Sequence, residues 1–365
     1  MNIWNDKRVV LTLDAGGTNF VFSAMKSGDE IVEPIRKPSN ADQLDLCLQT
    51  IIDGFQEVLN IVKEKPVAIS FAFPGPADYK SGIIGDLPNL PAFRGGIALG
   101  PMLQEHFKLP VFINNDGDLF AYGEALGGVL PEINKKLEEA NSPKRYKNIL
   151  GVTLGTGFGG GLVRNEELFV GDNSIATEVW LTSSRLFPER FAEEGISTRA
   201  IQRVFLEKAK GNYSEELMPK DVYDVAMDAN NSDQKAALEA FEMFGRCLGD
   251  SLANLLTVID GIAVIGGGLT GAHDLYMPAA LNEMNGKCYT ASGESLPRLV
   301  QKVYNIDVDS EFVEFAEDKS SDINIPGTNK TIKYDPNPSI AICSSKLGAS
   351  KAIGIGAYAF ALKNL

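Results

Sequence analysis

Residues 8–20 read RVVLTLDAGGTNF, and residues 150–164 read LGVTLGTGFGGGLVR. Each is a β-favouring run that breaks at a glycine-bearing turn and resumes as a second β run. The first continues into NFVFSAM at 19–25 and EIVEPI at 30–35, a three-strand antiparallel meander, and the second into ELFV. The same strand–turn–strand unit thus occurs twice, at low identity, which points to a structural duplication.

Outward from the first copy, apolar residues from Asp42 to Val62 recur close to the helical period, at Leu44, Leu48, Ile51, Ile52, Phe55, Val58, Leu59 and Val62. A nearly continuous apolar strand, PVAISFAF at 66–73, follows and ends in the turn Pro74, Gly75, Pro76. A helix from about Ile97 to Phe107, a strand at 110–114 (PVFIN) and a helix after Asp116 complete a βββαβαβ order. Residues 131–147 are charged and hold Pro143, the composition of a surface insertion or crossover.

Beyond the second copy we expect helices near 198–210 and 233–257, the strand GIAVI at 261–265, and a helix around 273–285. The final segment, 347–362, reads as helix in spite of Gly348, Gly354 and Gly356, which permit close packing. No chemistry is assigned to 287–343. The expected domains are an N-terminal lobe, 1–130, joined by a C-terminal helix at about 347–365, and a C-terminal lobe, 131–346.

Two lobes suit a chain of 365 residues, more than one core usually organises. With 44% hydrophobic and 22% charged residues the composition is that of a soluble globular protein. A formal charge of -14 opposes nucleic-acid binding, which needs a clustered basic surface. Four scattered cysteines build neither a disulfide scaffold nor a paired-cysteine zinc site, which fits a reducing cytoplasm. No apolar run is long enough for a membrane span and no secretory signal is visible.

Three glycine turns carry the chemistry. At Asp14, Ala15, Gly16, Gly17 and Thr18, consecutive glycines let backbone N–H groups curl toward an anion, as a phosphate requires. Asp14 is compatible with phosphate if it holds a hydrated Mg²⁺ through water. The same residues also make a plain hairpin. Gly155, Thr156, Gly157 and the glycines to Gly161 repeat the arrangement. Their spacing matches the dinucleotide fingerprint of an oxidoreductase, but that motif needs a helix immediately after it, whereas LVRNEELFV reads as hairpin. Gly266, Gly267 and Gly268 end a strand before a helix, where backbone approaches a flat ligand such as adenine, or simply turns. The strand PVFIN delivers Asn114, Asn115 and Asp116 to its carboxyl end. There Asp116 suits a general base for phosphoryl transfer, and equally Asn115 or Asp116 suits a helix N-cap.

LDAGGTNF, FPGP, INNDGD, LGTGFGGG and IGGGL, in this order and at these separations, resemble the ROK (repressor, ORF, kinase) sugar kinases over nearly the whole chain. The resemblance implies an α/β fold of the two-lobed actin-like ATPase (ribonuclease H-like) class, each lobe with a βββαβαβα core, closing over ATP and a sugar. It assigns Asp14 to Thr18 and Gly155 to Gly157 to phosphate and the Gly266 cluster to adenosine. It also makes Asp116 the base and places Asn89, Asn115, Glu178 and Glu193 on the sugar. For the last of these the adjacent Glu194 is a neighbouring match. It further implies a homodimer and attack by a primary 6-hydroxyl.

The chain departs from that family at one place. Where members carry Gly-His and then a cysteine-rich zinc motif, Glu178 is followed by Val179, Trp180 and Leu181, and 179–196 hold neither His nor Cys. A structural zinc is not expected. His106 and His273 read as surface or capping residues. The leading expectation is ATP- and Mg²⁺-dependent phosphorylation of a hexose or N-acetylhexosamine, and its rival a catalytically degenerate sugar-binding or regulatory protein on the same fold. Only thirteen residues precede Asp14, too few for the DNA-binding segment of the family's repressors.

Overall fold

The structure is a computed structural model describing residues 3–16, 18–75, 77–85 and 92–365. It divides into two compact units. Unit 1 comprises residues 1–131, 159–178 and 345–365, and unit 2 comprises 132–158 and 179–344.

The chain opens with β1 (Val9–Ala15), β2 (Asn19–Lys26), β3 (Asp29–Glu30), β4 (Ile35–Pro38), α1 (Leu44–Ile61), β5 (Pro66–Ala72), α2 (Leu99–Phe107), β6 (Val111–Asn114), α3 (Asp116–Leu126) and α4 (Val129–Glu139). Strands lie in the order β3-β2-β1-β5-β6, with β4 also on β2. β1 is antiparallel to β2 and parallel to β5, and β5 is parallel to β6. The expected third strand at 30–35 is two short pieces, because both β3 and β4 pair with the long β2. The phenylalanines of β2, α1 and β5 build one core of unit 1, with Phe22 and Phe55 rings 5.2 Å apart and Phe55 and Phe71 5.8 Å apart.

Next come β7 (Asn148–Leu154), β8 (Phe158–Arg164), β9 (Glu167–Leu168), α5 (Thr198–Lys208), α6 (Pro219–Met227), α7 (Gln234–Ile259), β10 (Ile262–Gly266), α8 (His273–Met284), β11 (Lys287–Tyr289), β12 (Ser295–Pro297), β13 (Lys302–Asn305), α9 (Asp309–Ala316), β14 (Ser321–Asn324), β15 (Thr331–Tyr334), β16 (Ser339–Ser344) and α10 (Ala349–Asn364). In unit 2, β13, β16, β10 and β7 are neighbours in that order and all parallel. The 287–343 region therefore supplies two strands of this sheet and two hairpins, β11–β12 and β14–β15.

Two sequence expectations are corrected. The surface insertion or crossover expected at 131–147 is α4 as far as Glu139, since Leu130, Ile133 and Leu137 fall three and four residues apart and are buried beneath a charged face. Helix α6 lies between the two helices expected in that region, opening with Pro219 in its first turn.

Helix α10 returns to unit 1 and lies on α3 with backbones nearly touching. A Cβ on Gly123 would sit 1.9 Å from the Ala352 carbonyl oxygen, and one on Gly356 would sit 2.0 Å from that of Leu119. Glycine on both helices is what this approach requires. Tyr358 fixes the far end: its hydroxyl shares its one hydrogen between the carbonyls of Asp6 and Arg8, at 3.0 and 3.1 Å, and accepts the Ser27 N–H at 2.9 Å.

Candidate active site

In unit 1 the carboxyl ends of β1, β5 and β6 lie side by side, Asp14 opposite Ala72 and Ala72 opposite Asn114. Asn115 caps α3, its Oδ1 accepting the Gly117 N–H at 2.8 Å. Capping therefore falls to Asn115 and leaves Asp116 as the first helical residue. Its carboxylate also accepts the Gly117 N–H, at 2.8 Å. Asp116 is exposed, although many protein atoms lie around its carboxylate. That crowding raises its proton affinity, the Gly117 N–H opposes the rise, and the nearby Asp14 charge adds to it.

Three further groups lie near this end of α3. Tyr79 is buried, donates to the Phe73 carbonyl at 2.8 Å and accepts from Asn115 Nδ2 at 3.5 Å. Burial pushes its phenol up, and the charges of Asp116, Asp118 and Glu178 raise it further. Asp118, one residue beyond Gly117, is 3% exposed and approached by the Thr177 hydroxyl at 3.4 Å. Glu178, half-buried, completes the group. Asp14, Asn115, Asp116 and Glu178 are thus gathered in one unit. Tyr79, Asp118 and Thr177 were missed in the sequence. Gly75 makes room for Tyr79, since a Cβ there would lie 2.2 Å from the Tyr79 hydroxyl. Asn89 and Gly17 fall outside the described residues. Thr18 is exposed, and its carbonyl accepts the Ser39 N–H at 2.9 Å.

In unit 2 the turn after β7 closes with the Gly155 N–H on the Gly157 carbonyl at 3.1 Å, leaving Thr156 exposed. The residues after Gly157 form the strand β8, so no helix receives a pyrophosphate and the oxidoreductase reading falls. Glu193 packs on this turn. Its Oε2 accepts the Phe158 N–H at 3.0 Å and its Oε1 pairs with Arg199 at 3.0 Å. Glu194 instead pairs with Arg203 on α5. Gly267 takes a left-handed φ of 93° and lies against Leu154, where a Cβ would meet the carbonyl at 2.3 Å. The Gly155 and Gly266 turns are therefore neighbours.

Residues 179–196 are held by side chains of unit 2. Trp180 and Phe191 meet edge to face at 5.6 Å, Ser183 bridges to Phe191, and the Ala192 N–H donates to the Thr182 carbonyl. Arg185 anchors the segment to the buried Asp250, through its N–H at 2.9 Å and its Nε at 3.3 Å, and also pairs with Glu283. His106 is exposed on the last turn of α2, and His273 opens α8 beside Asp274 and Asp307. Neither belongs to the Asp116 group.

Comparison with known proteins places this geometry. A glucokinase from Parabacteroides distasonis, known from its crystal structure, is 50% identical over the whole of both chains with a TM-score of 0.90. A glucokinase from Halalkalibacterium halodurans is 28% identical over 290 residues, 72% of this chain and 81% of the relative. An N-acetyl-D-glucosamine kinase from Photobacterium profundum is 28% identical over 276 residues, 72% of this chain and 85% of its own length. The ROK family model matches residues 10–302. This chain belongs to the ROK family and has its two-lobed, actin-like sugar-kinase fold.

Proposed function

We propose that this protein transfers the γ-phosphoryl group of ATP to a hydroxyl of a hexose, glucose before N-acetylated hexosamines, with Asp116 as general base. That it is an ATP-dependent sugar kinase follows from its relatives. The preference for glucose rests on the name of the relative that is 50% identical over its whole length. One observation supports the base above all: the carboxylate of Asp116 opens α3 beside Asn115, close enough to Asp14 and Tyr79 for charge to be felt between them.

In this reading Asn115, Glu178 and Glu193 bind sugar hydroxyls. Asp116 accepts the proton of the attacking hydroxyl as its oxygen bonds to the γ-phosphorus and the bond to the departing ADP oxygen breaks. Its raised proton affinity makes it a stronger base than an ordinary aspartate. The N–H groups of the Asp14–Thr18 and Gly155–Gly157 turns stabilise phosphate charge, and the Gly266 cluster receives adenosine. Asp14, exposed at the end of β1 and close enough to raise the affinity of Asp116, suits a hydrated Mg²⁺, which would neutralise phosphate charge.

The test is a sugar panel with ATP and Mg²⁺ on wild type and Asp116→Asn. Glucose is expected to be the best acceptor, and the variant to lose about 10² to 10⁴ in kcat with little change in sugar KM. Full turnover by Asp116→Asn removes the base assignment.

A further inference from the structure

We propose that Asp118 is a positioning residue that keeps a proton and donates it to the Thr177 hydroxyl, thereby fixing the backbone that presents Glu178 to the sugar. The inference rests on the sugar-kinase reading for Glu178, though not for the proton itself.

Thr177 is the unusual residue. It is β-branched yet sits at a left-handed φ of 60°, a conformation that persists only where its surroundings hold it. Its hydroxyl lies 2.6 Å from the Ala176 carbonyl and 3.4 Å from Asp118 Oδ1. A hydroxyl has one hydrogen. The short contact to the carbonyl takes it, so toward Asp118 the oxygen presents lone pairs. An ionised Asp118 would set oxygen against oxygen with no hydrogen between them. A protonated Asp118 completes a chain from carboxyl to Thr177 Oγ1 to the Ala176 carbonyl, with every donor matched to one acceptor.

The surroundings favour the proton. Asp118 is 3% exposed, and the Thr177 hydroxyl is its carboxyl's one hydrogen-bond partner among the described residues. The charged and titratable groups facing it are Glu178 on the Thr177 segment, Asp116 on its own helix and the Tyr79 phenol, none of them cationic. Burial first, then the charges of Glu178 and Asp116, push its pKa up to about 8. Glu178 follows Thr177 directly, so the torsion that Asp118 secures sets where that carboxylate points.

The proton is read by infrared difference spectroscopy of wild type against Asp118→Asn. A protonated-carboxyl stretch is expected at about pH 6.5, fading as the pH rises through about 8. Positioning is read from sugar kinetics. Asp118→Asn still donates and should keep KM within about 3-fold, whereas Asp118→Ala and Thr177→Val should raise it roughly 5- to 10-fold with kcat changed less. Thr177→Ser should follow wild type. In wild type the sugar KM should rise above about pH 8, and in Asp118→Asn it should not. No protonated band at neutral pH, or an Asn variant as impaired as the Ala variant, overturns the proposal. Should Ala or Val variants fail to fold, the spectrum and the paired pH profiles still decide. A wild type that phosphorylates no sugar overturns the functional reading and the positioning role together, while the infrared band still decides the proton.

Discussion

Gly157 and Glu193 share one small volume, so an atom added on one side must displace the other. A Cβ built on Gly157 lies 2.6 Å from Glu193 Oε2, and its three nearest neighbouring atoms all belong to Glu193. Gly157→Ala therefore has one obstacle, the carboxylate that accepts the Phe158 N–H at 3.0 Å. Swinging that carboxylate away is easy for the side chain but leaves the N–H of Phe158, a residue 1% exposed, without its acceptor. Losing such a charge-assisted bond costs about 1.5 to 3 kcal/mol, and the solvent-exposed Arg199 pair adds little. Glu193→Ala breaks the same bond by removing the acceptor, so it should cost about as much. In that background the space beside residue 157 is empty, and adding Gly157→Ala should change stability by less than about 0.5 kcal/mol. The double variant should thus resemble either single one. Urea unfolding of the four proteins measures the coupling, and sugar KM measured alongside reports the displaced carboxylate. Additive costs, with coupling below about 0.5 kcal/mol, would refute the reasoning.

Gly356→Ala drives a methyl against the Leu119 carbonyl, which neither backbone can yield cheaply, and should destabilise by about 1 to 3 kcal/mol in urea. Wild-type midpoints would contradict the close approach of α3 and α10. Burial raises the thiols of Cys47 to about 11 and Cys247 to about 12, and Cys343 is also buried, so a thiol reagent should label the native protein at Cys288 first and all four sites only after unfolding. Mass mapping of the labelled peptides gives the answer. Asp118 binds its proton with a pKa of about 8 when folded and about 3.9 when unfolded, so the folded state holds the extra proton between these values. Its contribution is present in full below about pH 3.9 and is lost as the pH rises to about 8. Asp118→Asn carries no such dependence, and its urea midpoint should gain on wild type from about pH 5 to about pH 8; parallel curves would contradict the shift.

The glycine turns were legible because glycine is confined to few conformational and packing roles, and their strand context followed from alternating apolar runs on both sides. The final helix was legible for a related reason: Gly354 and Gly356 sit in a helical period where only close packing justifies them. Helix α4 was hidden because charge dominates its composition while only Leu130, Ile133 and Leu137 mark the buried stripe. At the site, Asn115 and Asp116 were readable since adjacent residues at a strand end must arrive together. Tyr79 and Thr177 were not, because their nearness to Asn115 and Asp118 depends on how two loops return to α3, and no local period encodes a loop's path. Glu193 and Glu194 are separable only in three dimensions, one facing the glycine turn and the other Arg203 on α5.

The interlock of α3 and α10 at Gly123 and Gly356 has a consequence for synthesis. Strands β1 to β6 and helix α3 leave the ribosome before unit 2, but the helix that covers them is translated only after all of unit 2. Until then the α3 face that accepts α10 is bare, and the Ser27 N–H and the carbonyls of Asp6 and Arg8 lack the Tyr358 hydroxyl. The nascent chain must therefore carry an unfinished unit 1 through the synthesis of unit 2, a state in which chaperones would find it. Asp116 opens the helix that α10 covers, so its setting is braced only once α10 has been made.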